Sequence, residues 1–148
     1  MHSKIIKFII FFLIGTNYPL AQSSQYNIKD YGATGNRNDK ATQAIQKAID
    51  LCHAAGGGTV YVPSGTFVTD TIYLKSHVHF HLDAGAELLG SPDTADYRMQ
   101  GRMHGIIYAE NAEHITISGA GSINGNGTHF MNLSQSHIAS DFERKYTR

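Results

Sequence analysis

Apolar positions follow two different periods along this chain, and the change comes at a run of three glycines. Before Gly56, small and apolar residues recur at Ala41, Ala44, Ile45, Ala48, Ile49 and Cys52, the spacing that gathers side chains on one helix face. The pattern predicts a helix from Lys40 to about Ala55, capped by Asp39 and ended by Gly56-Gly57-Gly58. A carboxylate accepts the free N–H groups at a helix start, and glycine tolerates the left-handed turn at its end. After the glycines the apolar residues alternate with period two, as at Val60 and Val62 or at Val78, Phe80 and Leu82. Alternation turns one side of an extended strand inward. Val60, Val62, Phe67, Ile72, Leu74, Val78, Phe80, Leu82, Ile115 and Ile117 are therefore expected in one continuous core. Tyr26 to Tyr31 reads as a further short strand ahead of the helix.

The strands are separated by Ser64-Gly65, Ala84-Gly85, Gly90-Ser91, Gly119-Ala120-Gly121 and Gly125-Asn126-Gly127, all turn-forming. With one gap, His77 to Leu88 aligns with His114 to Ile123 as a weak internal repeat. Short strands with tight glycine corners and a repeat suit an all-β architecture, a right-handed parallel β-helix of which this chain holds the first coils. The amphipathic helix would be its N-terminal cap, covering the unpaired edge of the first coil. A β-sandwich competes, because Asn124-Gly125 and Asn126-Gly127 are good hairpin turns.

Composition narrows the partners. Lysine plus arginine equals aspartate plus glutamate at 12 each in 148 residues, so no strongly basic surface favours nucleic acid. The first residues stand apart: Lys4 and Lys7 precede the apolar run Phe8 to Ile14 and a small-residue segment ending near Ala21. That is the layout of a secretory signal peptide, residues 1–21 with cleavage after Ala21 or Ser23. The run is too short to span a bilayer, so no stable membrane anchor is expected and the mature part, 22–148, would be secreted or periplasmic. Cys52 is the single cysteine, which excludes an intrachain disulfide and reads as a buried thiol on the helix face.

Several constellations carry possible chemistry, each beside a plainer explanation. Gly56-Gly57-Gly58 could cradle phosphate, but it follows a helix and lacks the Lys-Ser/Thr ending of a phosphate loop. His77, His79 and His81 would share the outward face of one strand, a conceivable zinc or copper site. Nearly seven ångströms between alternate residues strains capture by one strand, so a solvated or stacked histidine face is favoured. Asp93, Asp96 and Glu110 are isolated acids whose default role is solubility. Tyr97, Arg98, Arg102 and Tyr108 could face a sugar groove, since rings stack on sugars and arginine pairs with uronate carboxylates. Asn126-Gly127-Thr128 and Asn132-Leu133-Ser134 fit the glycosylation acceptor pattern, which is frequent by chance.

The runs Tyr26 to Ala33, Thr42 to Asp50, Gly56 to Phe67, Asp83 to Ser91 and Ile107 to Gly119 occur here in the order seen at the start of the pectin-degrading glycosidases. The chain resembles glycoside hydrolase family twenty-eight from Tyr26 to Arg148, and Asp141 to Arg148 is similar to a segment of bacterial members. The opening helix and the Gly-Gly-Gly-Thr-Val-Tyr-Val-Pro-Ser-Gly run are shared with the wider pectate-lyase-like superfamily. Ile107-Tyr108-Ala109-Glu110-Asn111-Ala112 points more narrowly to polygalacturonase-like enzymes.

The resemblance implies hydrolysis of galacturonan by inversion, with an acidic plant-type polysaccharide as substrate and no cofactor. An acid protonates the leaving oxygen while a carboxylate activates water on the opposite face. The family places these groups in Asn-Thr-Asp, Asp-Asp, Gly-His-Gly and Arg-Ile-Lys motifs, and none of them occurs in this sequence. Met103-His104-Gly105 only superficially matches Gly-His-Gly and lies too early. No catalytic residue and no metal ligand is therefore assigned, and the chain reads as the N-terminal part of the domain, with the catalytic coils beyond it. A pectate-lyase-like eliminase, often calcium-dependent, and a non-catalytic β-helical carbohydrate-binding module remain the alternatives.

Overall fold

The computed structural model describes residues 24–99 and 101–130, without the side chains of Met99 and Arg102. The expected signal peptide, the Asn132 acceptor site and the Asp141–Arg148 segment lie outside the described residues.

The chain opens with β1 (Gln25–Asn27), a 3-10 turn at Ile28–Tyr31 and the helix α1 (Thr42–Ala54). One circuit follows in β2 (Gly58–Val62), β3 (Gly65–Thr69) and β4 (Ile72–Tyr73). The next is β5 (Val78–Leu82), β6 (Ala86–Gly90) and β9 (Ile107–Tyr108), interrupted by a 3-10 turn at Thr94–Tyr97 and the short strands β7 (Arg98–Met99) and β8 (Arg102–Met103). A third circuit starts with β10 (Thr116–Gly119) and β11 (Ser122–Asn124). The strands stack as three parallel sheets, β1-β2-β5-β10, β3-β6-β11 and β4-β9. This is a parallel β-helix with a capping helix. Among the described residues the antiparallel pair is β7–β8, not the hairpins that the Asn-Gly turns would build in a sandwich.

Register explains the core. Val60 pairs with Phe80 and Phe80 with Ile117; Phe67 pairs with Leu88 and Leu88 with Ile123; Ile72 pairs with Ile107. Each column is one inward position repeated coil after coil, so apolar surface is buried by the coil above as well as by the opposite wall. Val60, Phe67, Ile72, Val78 and Phe80 are fully buried, as the alternation predicts. The expectation fails at the last described coil, where Ile115 is half-buried and Ile117 is 46% exposed. No described strand pairs beyond β10 or β11, so the pattern turns these side chains inward without anything described to close over them. The internal repeat is borne out: β5 pairs with β10, and β6 with β11, and the one gap falls between the two pairs.

The opposite end is closed, sheet by sheet. β1 pairs with β2; Lys40 bridges to Val68 of β3, with the Ala41 N–H donating to the Val68 carbonyl at 2.7 Å. On β4 the Gln46 side chain takes both roles, its amide donating to the Tyr73 carbonyl at 3.1 Å and its oxygen accepting the Tyr73 N–H at 2.9 Å. Ala44, Ile45, Ala48, Ile49 and Cys52 of α1 are buried against the first coil. Burial pushes the Cys52 thiol pKa upward, consistent with an inert packing role.

Two local expectations are corrected. Asp39 does not cap the helix; it accepts the Thr34 hydroxyl at 3.0 Å, and α1 starts at Thr42 because Lys40 is drawn into its bridge with Val68. The Tyr26–Tyr31 strand ends at Asn27, whose side chain accepts the Lys29 N–H at 3.0 Å and turns the chain into the 3-10 turn. The glycine triplet ends the helix as expected, and stacking dictates it further. Gly58 has φ +149°, and a Cβ there would lie 2.4 Å from the Ser24 carbonyl oxygen.

Candidate functional site

The segment between β6 and β9 leaves the coil and carries five of the candidate residues, Asp93, Asp96, Tyr97, Arg98 and Arg102. Asp93 caps its 3-10 turn by accepting the Ala95 N–H at 2.9 Å. Asp96 is not the isolated solubilising acid that its sequence context suggests. It accepts from Lys40 Nζ at 2.5 Å and from the Ser91 hydroxyl, and these two hydrogen bonds hold its carboxyl below the usual aspartate range. Lys40 also bridges β3, so the pair ties the inserted segment to the capping end. Glu110 accepts the Tyr108 hydroxyl at 3.2 Å.

Tyr97 is buried, its hydroxyl donating to the Ser91 carbonyl at 2.9 Å, and burial pushes its phenol pKa upward. Its hydroxyl is thus committed to the protein rather than presented to a sugar. Arg98 is exposed, and Arg102 is described only as backbone of β8. Tyr108 joins Tyr73 and His104 in an aromatic cluster. Tyr73 and Tyr108 are register partners on the outward face of β4 and β9, with centroids 5.8 Å apart. His104 sits edge-on to Tyr108 at 4.4 Å, placed by its N–H, which donates to the Tyr97 carbonyl at 2.9 Å. Thr94, Tyr97, Met103, His104, Ile106 and Phe130 line an open, mainly apolar cavity of about 330 Å³. The β7–β8 excursion that builds it carries no alternation in the sequence, and only Gly101 marked it as a turn.

The histidines do not converge on a metal position. His79 and His81 are half-buried on the outward face of β5, and both contact the Ser118 hydroxyl, at 2.6 Å and 3.0 Å. His81 stacks on Tyr61 with centroids 6.0 Å apart, and His77 stacks on its repeat partner His114 at 5.1 Å. Among the described residues no group of three His, Cys, Asp or Glu could hold a metal ion. The three N–H groups of Gly56, Gly57 and Gly58 donate to the His53, Cys52 and His77 carbonyls, so the triplet presents no phosphate cradle. Asn126 likewise uses its amide, donating to the Gly90 carbonyl at 3.1 Å.

Charge on the outer faces is organised in ladders rather than in a reacting pair. The Tyr61 hydroxyl and then the Ala84 N–H hold the Asp83 carboxyl below its ordinary range. Asn124, Thr66 and Arg37 do the same for Glu87 across three neighbouring strands, against a smaller opposing effect of burial. A carboxylate kept ionised is a poor general acid, which must hold its proton near neutral pH. Val68 and Leu89 were missed by the alternation: they point outward from β3 and β6, yet they are buried and floor a second cavity of about 210 Å³ edged by Arg37, Asn126 and His129.

Comparison with known proteins agrees with this arrangement. The chain matches the family described as Rhamnogalacturonase A/epimerase, pectate lyase-like over residues 25–141. It is similar to an exo-poly-alpha-D-galacturonosidase of Dickeya chrysanthemi, 48% identical over 71 residues, covering 48% of this chain and 12% of that protein. It is similar also to the plasmin and fibronectin-binding protein A of Streptococcus pneumoniae, 34% identical over 126 residues, covering 76% of this chain and 18% of that one. Among solved structures, a family 28 exopolygalacturonase of Yersinia enterocolitica superposes with a TM-score of 0.65 at 33% identity, covering 72% of this chain and 21% of that chain. The chain thus spans less than a fifth of the length of either curated relative. With three stacked parallel sheets, a capping helix and a match across nearly all of the described coils, the chain belongs to the rhamnogalacturonase A/epimerase, pectate lyase-like family.

Proposed function

We propose that these coils serve an exported glycosidase that hydrolyses galacturonan-type polysaccharide by inversion, with its reacting carboxylates on coils outside this chain. The observation that carries the reading is the family match over residues 25–141, joined to the likeness to two exo-acting galacturonan enzymes. The side chains agree in a negative sense: Asp93 caps a turn, Asp96 is held by Lys40 and Glu110 by Tyr108. Inverting hydrolysis needs two carboxyl groups flanking the scissile bond with room for water. None of these three is arranged that way, so the 148-residue chain alone is expected to be inactive. The Met1–Ala21 pattern supports export.

The test compares the chain lacking residues 1–21 with one extended by the downstream reading frame, assaying new reducing ends on polygalacturonate. Hydrolysis by the extended protein alone supports the proposal. Unsaturated products would replace hydrolysis with elimination. Turnover by the short chain, abolished in an Asp93, Asp96 or Glu110 variant, would overturn the placement of the active site. A second reading, a binding module without catalysis, draws on the similarity to the pneumococcal fibronectin-binding protein. It would be favoured if the extended protein bound polysaccharide and cleaved none.

A further inference from the structure

We propose that Ser118 is an acyl-accepting nucleophile on the outer face of the β2-β5-β10 sheet, with His79 as its base and activated carboxylic esters as its substrate class.

Stacking assembles the group. Alternation along β5 turns His79 and His81 outward, and the next coil adds Ser118 on the same face. Register sets Ser118 abreast of His81 and Thr116 abreast of His79, so Ser118 is diagonal to the second imidazole. Both rings reach its hydroxyl: His79 Nε2 lies 2.6 Å from Ser118 Oγ and His81 Nδ1 lies 3.0 Å from it.

One hydroxyl proton cannot serve two acceptors, and the two distances give its direction. An O–H donor typically sits about 0.2 Å closer to its acceptor than an N–H donor does. Ser118 therefore donates to His79 Nε2 and accepts from the His81 Nδ1–H. Neutral His79 then keeps its own proton on Nδ1, which faces Oγ1 of its register partner Thr59 at 3.4 Å. His81 is held from behind by its stack on Tyr61, whose hydroxyl donates to Asp83. A hydroxyl bonded to a base that a third group orients is the arrangement of an activated nucleophile. All three side chains are only half-buried, so a dissolved ester reaches Oγ.

The step balances without a cofactor. One Oγ lone pair accepts from His81 and the other attacks the ester carbonyl, forming the Oγ–C bond while the Ser118 proton passes to His79 Nε2. The bond from the carbonyl carbon to the leaving oxygen breaks, and that oxygen departs with the electron pair. His79 then gives its proton to the leaving oxygen or to water. Strand N–H groups point along the sheet rather than over its outer face, so they are not aimed at a developing oxyanion. Reaction is accordingly confined to esters with a weakly basic leaving group, and the acyl-serine accumulates because water attacks it slowly.

The test mixes the 148-residue chain with p-nitrophenyl acetate, follows nitrophenolate by absorbance and locates the acetyl group by peptide mass mapping. A burst approaching about one equivalent per chain is expected, with the acetyl on Ser118. Ser118→Ala should abolish the burst. His79→Gln, which keeps a hydrogen-bonding amide but no base, should slow it about a hundredfold. His53→Gln should leave it unchanged, because that ring lies elsewhere, against the Ser76 carbonyl. Acetyl found only on lysines or on Cys52, a burst retained in Ser118→Ala, or native-rate acetylation of Ser118 in His79→Gln would each overturn the proposal.

Discussion

The two ends of the described stack carry the same inward pattern and differ in what lies against it. In one column Val60 and Phe80 are fully buried and Ile117 is 46% exposed; in another Phe67 and Leu88 are fully buried and Ile123 is 46% exposed. At the first end β1, the Lys40 bridge and the Gln46 side chain each close one sheet edge, and α1 covers the apolar floor. At the other, no described strand pairs beyond β10 or β11. A strand's own alternation thus chooses which side chains face inward, whereas the neighbouring coil decides whether they leave water. Polar backbone atoms follow the same division, because an edge strand keeps unpaired N–H and C=O groups until something is laid along it.

The comparison breaks most readily in the buried column. Phe80→Ala removes a fully buried ring between two coils and is expected to cost about 3–5 kcal/mol in chemical denaturation. Gly58→Ala should cost about 1–3 kcal/mol, because its φ of +149° and the nearby Ser24 carbonyl both oppose a Cβ. The clasp of the inserted segment is weaker. Asp96→Asn should cost about 1 kcal/mol, since Lys40 is half exposed and solvent screens the pair.

That contribution has a defined pH dependence. The folded-state pKa of Asp96 lies below its ordinary 3.8, so the stabilisation is present above that value and is lost as pH falls through the folded pKa. The stability gap between the native chain and Asp96→Asn should therefore close on acidification; a gap that widened would contradict the ion pair. The smallest effect is expected at Ile117→Ala, about 1 kcal/mol or less, because the residue is 46% exposed and has only about half the burial of Phe80 to lose. An Ile117 loss equal to that at Phe80 would mean that the last coil is covered after all.

The coil strands were legible because their chemistry is local. Val60, Val62, Val78, Phe80 and Leu82 alternate within single strands, and α1 shows its buried face in one periodic run. What failed needed partners distant in sequence. Asp39 looks like a cap until Lys40 is seen to pair with Val68, and Asp96 looks isolated until Lys40 reaches it across the fold. Val68 and Leu89 occupy outward positions and would be assigned to solvent, yet they are buried. The cavity is half visible in the sequence: residue type singles out Tyr97, but Met103 and His104 join it in the lining only through the β7–β8 excursion, which has no periodic signal. The Asn-Thr-Asp, Asp-Asp, Gly-His-Gly and Arg-Ile-Lys strings do not occur in the sequence.

Native-state hydrogen exchange, read amide by amide on the 148-residue chain, tests most directly the claim that each coil is buried by its neighbour. Amides of β2 and β5 should exchange at the rate of global unfolding, and those of β10 and β11 facing away from β5 and β6 should exchange much faster. Equal protection across β2, β5, β10 and β11 would contradict the claim.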